Sequence, residues 1–200
     1  MVLPIILAAG RGTRMHSTQP KALTQLQGIP FILHVLETIK EITDEKPIIV
    51  VGYKGEAVQQ EVGRRNADYC YQVEQKGTGH ALLQTKELVQ TRGQDQTLLV
   101  LYADVPLVSP QTLTALIETH QRERSDLTFL TTQAQNPTGL GRIVAEAGKI
   151  DAIVEEADAT PAEKRICRVY RDLPLSSWKP MRARYPVGLW IPGRPMPPFP

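Results

Sequence analysis

Short apolar runs alternate along the chain with segments whose apolar residues recur at helical spacing. The runs are continuous and end at turn residues, which is typical of buried parallel strands, and they cover residues 2–9, 47–52, 69–73, 97–102 and 127–132. The intervening segments predict helices over residues 31–42, 55–65, 78–89 and 110–124. Ser109 and Pro110 suit the N-cap and first position of the last helix. We therefore predict an α/β fold with a Rossmann-like, mostly parallel sheet and helices on both faces.

The pattern changes in the last third of the chain. Two strand-like segments, 142–146 and 150–155, flank Ala147-Gly148-Lys149, which predicts a small antiparallel hairpin over the ligand face. Residues 174–200 contain 8 of the 16 prolines and both tryptophans, and their apolar residues follow neither period. Proline removes backbone donors and blocks helix and central strand. We therefore predict a folded domain over residues 1–167 and an irregular tail over residues 168–200.

Composition and charge narrow the class of protein. No apolar run approaches the roughly 20 residues of a membrane-spanning helix, and the N-terminus lacks a secretory pattern, so we expect a cytoplasmic protein without a membrane partner. Residues 1–163 carry 15 basic and 20 acidic residues, a net charge of −5, which does not favour a nucleic-acid partner. The two cysteines, Cys70 and Cys167, lack metal-site spacing.

The first candidate motif is Leu7-Ala8-Ala9-Gly10-Arg11-Gly12-Thr13-Arg14-Met15, followed by Pro20-Lys21. Small residues after a strand allow backbone N–H groups to approach phosphate oxygens closely. Arginine and lysine side chains add positive charge that neutralises phosphate. The motif favours a phosphate-binding loop, and a tight strand-to-helix turn with solvated arginines is the alternative.

The second motif runs from Gln72 through Gly77-Thr78-Gly79-His80-Ala81. Gln72 ends a predicted strand, and its amide offers a donor and an acceptor for a pyrimidine edge. Gly77 and Thr78 begin the next predicted helix, where free backbone N–H groups face the ligand edge of the sheet. An ordinary helix start is the alternative, and a structural role is favoured for His80 over a role as a base.

The third motif places Tyr102, Ala103 and Asp104 at the end of a strongly apolar strand. Ligands of parallel α/β sheets bind at the carboxyl ends of the strands. Mg²⁺ prefers one or two carboxylates together with phosphate oxygens and water. We therefore predict Asp104 as a magnesium ligand, with a turn-forming loop aspartate as the alternative.

A fourth motif lies on the predicted hairpin. The sequence Thr138-Gly139-Leu140-Gly141-Arg142 would let a sugar lie close to the backbone, and Glu155 ends a strand where it could accept hydrogen bonds from hydroxyls. Turn formation explains both features equally well.

These four motifs, in this order, resemble those of the sugar-phosphate nucleotidyltransferases, and more narrowly the N-terminal uridyltransferase domain of the bifunctional bacterial UDP-N-acetylglucosamine pyrophosphorylases. The resemblance covers about residues 2–167. It implies a catalytic role for Arg14, Lys21 and Asp104, with Mg²⁺ held by Asp104. It implies nucleotide contacts from Leu7, Ala8, Ala9, Gly10, Lys21, Gln72, Gly77 and Thr78. It implies sugar contacts from Tyr102, Ala103, Gly141 and Glu155, although position 103 is commonly glycine in the family.

The implied reaction joins UTP and N-acetylglucosamine 1-phosphate to give UDP-N-acetylglucosamine and pyrophosphate. The sugar phosphate attacks the α-phosphorus in line, and no covalent protein nucleophile is needed. Two alternatives stay open, a nucleotide-binding module without turnover and a related cytidylyl- or guanylyltransferase. The sequence leaves the oligomeric state undetermined.

The sequence departs from the family's pattern after about residue 167. The family has an asparagine that contacts the ligand and a later asparagine that completes the metal site. The matching stretch here reads Arg168-Val169-Tyr170-Arg171-Asp172, and the chain contains only Asn66 and Asn136. Codons for the family's Asn-Thr-Gly-Ile-Tyr-Arg-Phe, shifted by two bases, can spell Tyr-Arg-Asp-Leu-Pro-Leu, which is the sequence at 170–175. We interpret the tail as out of frame, and expect impaired turnover and a segment that cannot form the family's strand. The family's acetyltransferase domain is also absent from this sequence.

Overall fold

The computed structural model describes residues 1–10, 19–63, 66–74, 76–93, 96–146 and 149–177. The chain divides into two compact units. The first unit consists of Met1–Thr128 and also includes a segment that starts at Asp172. The second unit contains Phe129–Arg171.

The first unit is built on four parallel strands, which are β1 Val2–Ala8, β4 Ile48–Val51, β5 Asp68–Tyr71 and β6 Thr97–Tyr102. They lie side by side in the order β5-β4-β1-β6. Because the four strands run in the same direction, their carboxyl ends meet at one edge of the sheet. The helices of this unit are α1 Phe31–Lys40, α2 Gly55–Val62, α3 Thr78–Leu83, α4 Lys86–Thr91 and α5 Pro110–Glu123.

The core explains why the strands read as continuous apolar runs. All residues of β1 after the first are buried, so both faces of this strand are covered. On one face, Leu3, Ile5 and Leu7 pack in a cluster with Ala81 of α3 and Val89 of α4. The predicted α/β architecture with a parallel sheet is confirmed. Within the described residues, no helix is long and apolar enough to cross a membrane.

The second unit contains the predicted hairpin. Strands β8 (Arg142–Glu146) and β9 (Lys149–Val154) pair antiparallel, with a register irregularity between Val144 and Ala145. Most of β7 (Leu127–Gln133) precedes this hairpin in the unit, and a short 3-10 helix, Glu163–Arg165, follows it.

The structure differs from the sequence predictions in one helix and in one hairpin. The helix predicted over 78–89 is two helices, because the chain between them makes i→i+3 hydrogen bonds and the Thr85 hydroxyl donates to the Leu82 carbonyl. The small hairpin of β2 (Gln25–Leu26) and β3 (Ile29–Pro30) was not predicted. Its turn residues, Gln27 and Gly28, both have positive φ, as a two-residue type I′ turn requires.

The prediction of an irregular chain from residue 168 is wrong for residues 168–177, which form the strand β10, Arg168–Ser177. The outer edge of β6 offers backbone donors and acceptors, and β10 pairs with it antiparallel through Leu175–Leu99 and Ser177–Thr97. An extended segment needs only its own backbone to satisfy such an edge. Residues 178–200 lie outside the described residues, and the domain boundary after residue 167 stays a prediction.

Candidate functional site

A cavity of about 340 Å³ lies at the carboxyl edge of the sheet in the first unit. Its walls come from the end of β1, the short helix after Pro20, the loop after β5, the start of α3 and the loop after β6. The lining residues are Leu7, Ala8, Ala9, Gly10, Lys21, Ala22, Gln72, Gly77, Thr78, Ala81, Tyr102, Ala103 and Asp104. The structure thus brings together all eight predicted nucleotide contacts with Tyr102, Ala103 and Asp104. Arg14, the remaining predicted catalytic residue, lies outside the described residues.

The β1 side of the cavity is made by small residues. Ala8 and Ala9 are buried where the strand ends, and Gly10 is exposed at the mouth. A Cβ atom built on Gly10 would meet no atom of the described residues within 4 Å, so these residues leave space for a ligand beside this backbone. Ala103 is 2% exposed, and its N–H donates to the Leu7 carbonyl, so the ends of β1 and β6 are tied together.

Gln72 directly follows β5 and is held in a defined orientation. Its backbone N–H donates to the Val51 carbonyl at 2.8 Å, and its residue is 5% exposed. The side-chain Nε2 donates to the Gly77 carbonyl at 2.9 Å and lies 3.1 Å from His80 Nδ1. A carbonyl oxygen only accepts hydrogen bonds, so the atom facing Gly77 has to be the nitrogen. Among the described residues, both hydrogen bonds of this amide use Nε2, and the residue lines the cavity.

His80 has two amide partners that demand different tautomers. Gln72 Nε2 requires Nδ1 to accept, whereas Gln84 Nε2, which donates to the His80 carbonyl, lies 3.3 Å from His80 Nε2. A neutral imidazole has one accepting nitrogen, so only one contact is a hydrogen bond. The Gln72 contact is the shorter one, and Gln72 is the more deeply buried partner, whose unmatched N–H would cost more. We therefore assign Nδ1 as the acceptor.

Gly77 is the N-cap of α3, and its backbone conformation favours glycine. Its φ of 90° lies in a region that side chains rarely adopt, and its carbonyl accepts both from Gln72 and from the Ala81 N–H. Among the side chains that the structure describes, none caps the first turn of α3. Gln72 and the start of α3, which belong to the same sequence motif, are therefore in contact in the structure.

Lys21 and Asp104 form an ion pair within the cavity. Lys21 lies in the 3-10 helix Lys21–Leu23, and Asp104 lies in the loop after β6. Their side chains are 40% and 27% exposed. They are the only charged residues among the described residues that line the cavity.

The cavity supplies one carboxylate for a cation. No group of three or more His, Cys, Asp or Glu side chains in the described ranges could hold a metal. A single carboxylate suits Mg²⁺, which takes its other ligands from phosphate and water, and does not suit a metal held by protein alone. Asp104 therefore fits the predicted magnesium role in its donor type.

The other two predicted sugar contacts, Gly141 and Glu155, lie in the second unit and approach each other there. A Cβ built on Gly141 would lie 3.4 Å from Glu155 Oε1, which is an ordinary van der Waals distance, so the two residues are neighbours. Arg142, which is 1% exposed, fixes this region by donating to the Leu140 carbonyl, to Glu156 at 2.5 Å and to the Lys164 carbonyl.

Glu156 is the acceptor that joins the loop before β8 to the turn after β9. It accepts from Arg142 and from the Gly139 N–H at 3.1 Å. These two hydrogen bonds, the first being the larger cause, lower the pKa of Glu156. The carboxylate therefore stays charged at neutral pH.

Sequence reasoning missed Ala22 and Ala81 as lining residues and Arg142 as the residue that fixes the Gly141 loop. The two alanines carry no chemistry, and their only signal is small size beside Lys21 and within the first turn of α3. Arg142 was part of the fourth motif, but its burial and its partners are tertiary features.

Comparison with known proteins places these features in a family. Residues 4–175 match the model of the MobA-like NTP transferase domain. The bifunctional protein GlmU of Heliobacterium modesticaldum is 45% identical over 163 residues, which are 81% of this chain and 35% of that protein. The bifunctional protein GlmU of a Cyanothece strain is 41% identical over 180 residues, which are 89% of this chain and 39% of that protein. The chain therefore spans well under half the length of these curated relatives.

The fold is similar to that of solved enzymes at low sequence identity. A UDP-glucose pyrophosphorylase complexed with UDP-glucose superposes with a TM-score of 0.71 at 19% identity, covering 88% of this chain and 75% of that one. At this identity the similarity supports the fold alone.

Proposed function

Because the chain belongs to the MobA-like NTP transferase domain family, we propose that it binds UTP and joins it to N-acetylglucosamine 1-phosphate, giving UDP-N-acetylglucosamine and pyrophosphate. The observation that carries this proposal is the cavity at the carboxyl edge of the sheet, which is lined by all eight predicted nucleotide contacts. The GlmU relatives at 41–45% identity support the choice of substrates.

The orientation of Gln72 supports uracil over cytosine. With Nε2 committed to Gly77 and His80, the amide presents Oε1 as an acceptor. Uracil carries a hydrogen on N3, which can donate to such an acceptor, whereas N3 of cytosine is itself an acceptor. Opposed acceptors repel and leave a polar atom unpaired, so CTP should bind more weakly.

The phosphates would lie against the backbone of Ala8, Ala9 and Gly10, with Lys21 supplying positive charge. Arg14, predicted from the sequence, would add a second cation. Asp104 would hold Mg²⁺, which when bound neutralises charge on the phosphate oxygens. Tyr102 and Ala103, which line the cavity, would contact the sugar. The sugar contacts of Gly141 and Glu155 stay predictions from the sequence.

The reaction then needs positioning and charge neutralisation. An oxygen of the sugar phosphate forms a bond to the α-phosphorus, the bond from that phosphorus to the bridging oxygen breaks, and its electron pair leaves with pyrophosphate. Lys21 would stabilise the charge that develops in this exchange. No protein nucleophile takes part.

A thermal-shift titration with UTP and Mg²⁺ tests the binding step, with CTP, GTP and ATP as parallel arms. A ligand at 100 times its Kd adds about 2.7 kcal/mol of stability, and for a chain of this length each kcal/mol raises Tm by about 2–4 °C. We expect UTP to raise Tm by about 5–10 °C. No shift with millimolar UTP would contradict the proposal, and a larger shift with CTP or GTP would contradict the base assignment.

Pyrophosphate release tests the chemical step. Release that depends on both UTP and N-acetylglucosamine 1-phosphate supports a transferase. UTP binding without any release would instead favour the nucleotide-binding module, whose support is the lack of the family's asparagines in this sequence.

A further inference from the structure

We infer that the Lys21–Asp104 ion pair makes the cavity selective for a complex of nucleotide and divalent cation over either ligand alone. The inference rests on the proposed function and concerns the form of nucleotide that the site takes. Its basis is the direct contact between Lys21 and Asp104. The proposed function assigns these two residues ligands of opposite charge, the phosphates to Lys21 and the cation to Asp104.

The pair joins distant parts of the chain that are each held by backbone hydrogen bonds. Lys21 and Asp104 are 83 residues apart in sequence. The Thr24 N–H donates to the Lys21 carbonyl at 3.1 Å, and the Val105 N–H donates to the Tyr102 carbonyl at 3.2 Å. Both charged groups are therefore presented to the same cavity from ordered turns, and the contact is a property of the folded site.

The pair opposes binding of each ligand by itself. A cation that approaches Asp104 has to displace the Lys21 ammonium, which already neutralises the carboxylate. A nucleotide that draws Lys21 toward its phosphates leaves Asp104 unpaired and negative beside more negative charge. Each ligand alone thus breaks one favourable ion pair for every one that it forms.

A nucleotide–cation complex avoids both penalties. Its phosphates take Lys21 while its cation takes Asp104, so every charge has a partner of opposite sign after the exchange. No other charged residue among the described lining residues can substitute for either partner. Coupling between two ligands is typically about 5–150-fold in affinity and is reciprocal. We expect each ligand to raise the affinity of the other by about tenfold or more.

Two single substitutions give opposite and separable results. Asp104→Asn frees Lys21, so UTP in the presence of a chelator should bind several-fold more tightly than to the wild type, while added metal should no longer improve binding. Lys21→Met frees Asp104, so Mn²⁺ without nucleotide should bind several-fold more tightly. Isothermal titration calorimetry measures both affinities, and the Mn²⁺ spectrum in electron paramagnetic resonance gives the second independently.

The chain offers a matched control. Lys46 and Asp68 form an ion pair of similar exposure, 39% and 30%, and neither residue lines the cavity. Lys46→Met should change neither metal-free UTP binding nor nucleotide-free Mn²⁺ binding, which separates the loss of one local pair from a general loss of surface charge.

The outcomes distinguish this inference from the proposed function. Wild-type protein that binds UTP equally well with chelator and with Mg²⁺ would overturn the coupling, as would weaker metal-free UTP binding by Asp104→Asn. Unchanged Mn²⁺ binding by a folded Lys21→Met variant would also overturn it. Absence of UTP binding in every arm would overturn the proposed function together with the inference.

Discussion

Gly52, the residue after β4, offers a sharp test of how the strand ends position the cavity. A Cβ atom at this position would lie 3.0 Å from Ala9 Cβ, 3.0 Å from the Ala9 carbonyl oxygen and 3.1 Å from the Gln72 carbonyl oxygen. Ala9 and Gln72 both line the cavity and are both predicted nucleotide contacts. Gly52→Ala therefore pushes directly on the two strand ends that the proposed function requires.

The size of the effect follows from these contacts. Carbon atoms in contact prefer a separation of about 3.5–4.0 Å, so Ala9 and Gln72 have to move by several tenths of an ångström. Both neighbours are held by the sheet, since the Gln72 N–H donates to the Val51 carbonyl at 2.8 Å. Overpacking of this kind costs about 1–3 kcal/mol, which lowers Tm by about 2–12 °C in a chain of this length.

The displacement should also weaken nucleotide binding. Misplacing one hydrogen bond to the base costs on the order of 1.4 kcal/mol, which is a tenfold rise in Kd. Differential scanning calorimetry measures the first effect, and UTP titration of the folded variant at low temperature measures the second.

Gly10→Ala is the matched control for Gly52→Ala. A Cβ on Gly10 would meet no atom of the described residues within 4 Å, so we expect Tm to stay within about 1 °C of the wild type. UTP should nevertheless bind more weakly, because the added methyl occupies the space beside the backbone that the phosphates would approach. If Gly52→Ala melted within 1 °C of the wild type and bound UTP with equal affinity, close packing of the strand ends would not be what positions the site.

Three further changes test other parts of the molecule. The hydrogen bond from Lys46 and then that from Arg92 lower the pKa of Asp68 from its usual 3.8, so its stabilisation is present above the unfolded-state pKa and is lost as pH falls through the folded-state pKa. Asp68→Asn should therefore lower the free energy of unfolding, measured with urea, by about 1 kcal/mol at neutral pH and leave it unchanged in strong acid. An equal loss of stability at both pH values would contradict this reasoning. Arg142→Met removes the donors to the Leu140 and Lys164 carbonyls and should lower the free energy of unfolding by about 2 kcal/mol. Arg142→Lys should recover part of this stability. Equal stability of the wild type and both variants would refute the assigned role of Arg142. His80→Leu removes an acceptor for the buried Gln72 amide and should raise the Kd for UTP by about tenfold. His80→Asn, whose side-chain carbonyl oxygen can accept, should restore part of the lost affinity. Unchanged UTP binding by His80→Leu would reject the tautomer assignment.

The elements that sequence predicted well are those whose signal is local. The strands β1 and β6 are buried except for residues at their ends, and no polar residue interrupts residues 3–8 or 98–101. The start of α5 was predicted at Ser109, and the Ser109 hydroxyl accepts from the Thr112 N–H at 3.2 Å. The β2–β3 hairpin was not predicted because strands of two residues carry no measurable period.

The candidate site shows the same division between local and tertiary features. Glycines, small residues and charges after predicted strands identified most of the cavity wall, because parallel strands bring their carboxyl ends together. The contact between Lys21 and Asp104 and the fixed amide of Gln72 were not predictable, since each depends on the relative placement of separate turns. Composition therefore identifies the groups present, while the structure determines which of them neutralise each other.

The strand β10 shows that the expected loss of a strand and the expected loss of asparagine contacts are independent of each other. Pairing with the edge of β6 requires only extended backbone, which residues 168–177 supply. A ligand contact by contrast requires a particular side chain at a particular position, and no asparagine occurs between residues 168 and 177. The expected loss of the strand was therefore wrong, because it inferred backbone behaviour from side-chain identity. The expected loss of the asparagine contacts does not depend on the strand, so it stays a prediction that pyrophosphate release can test directly.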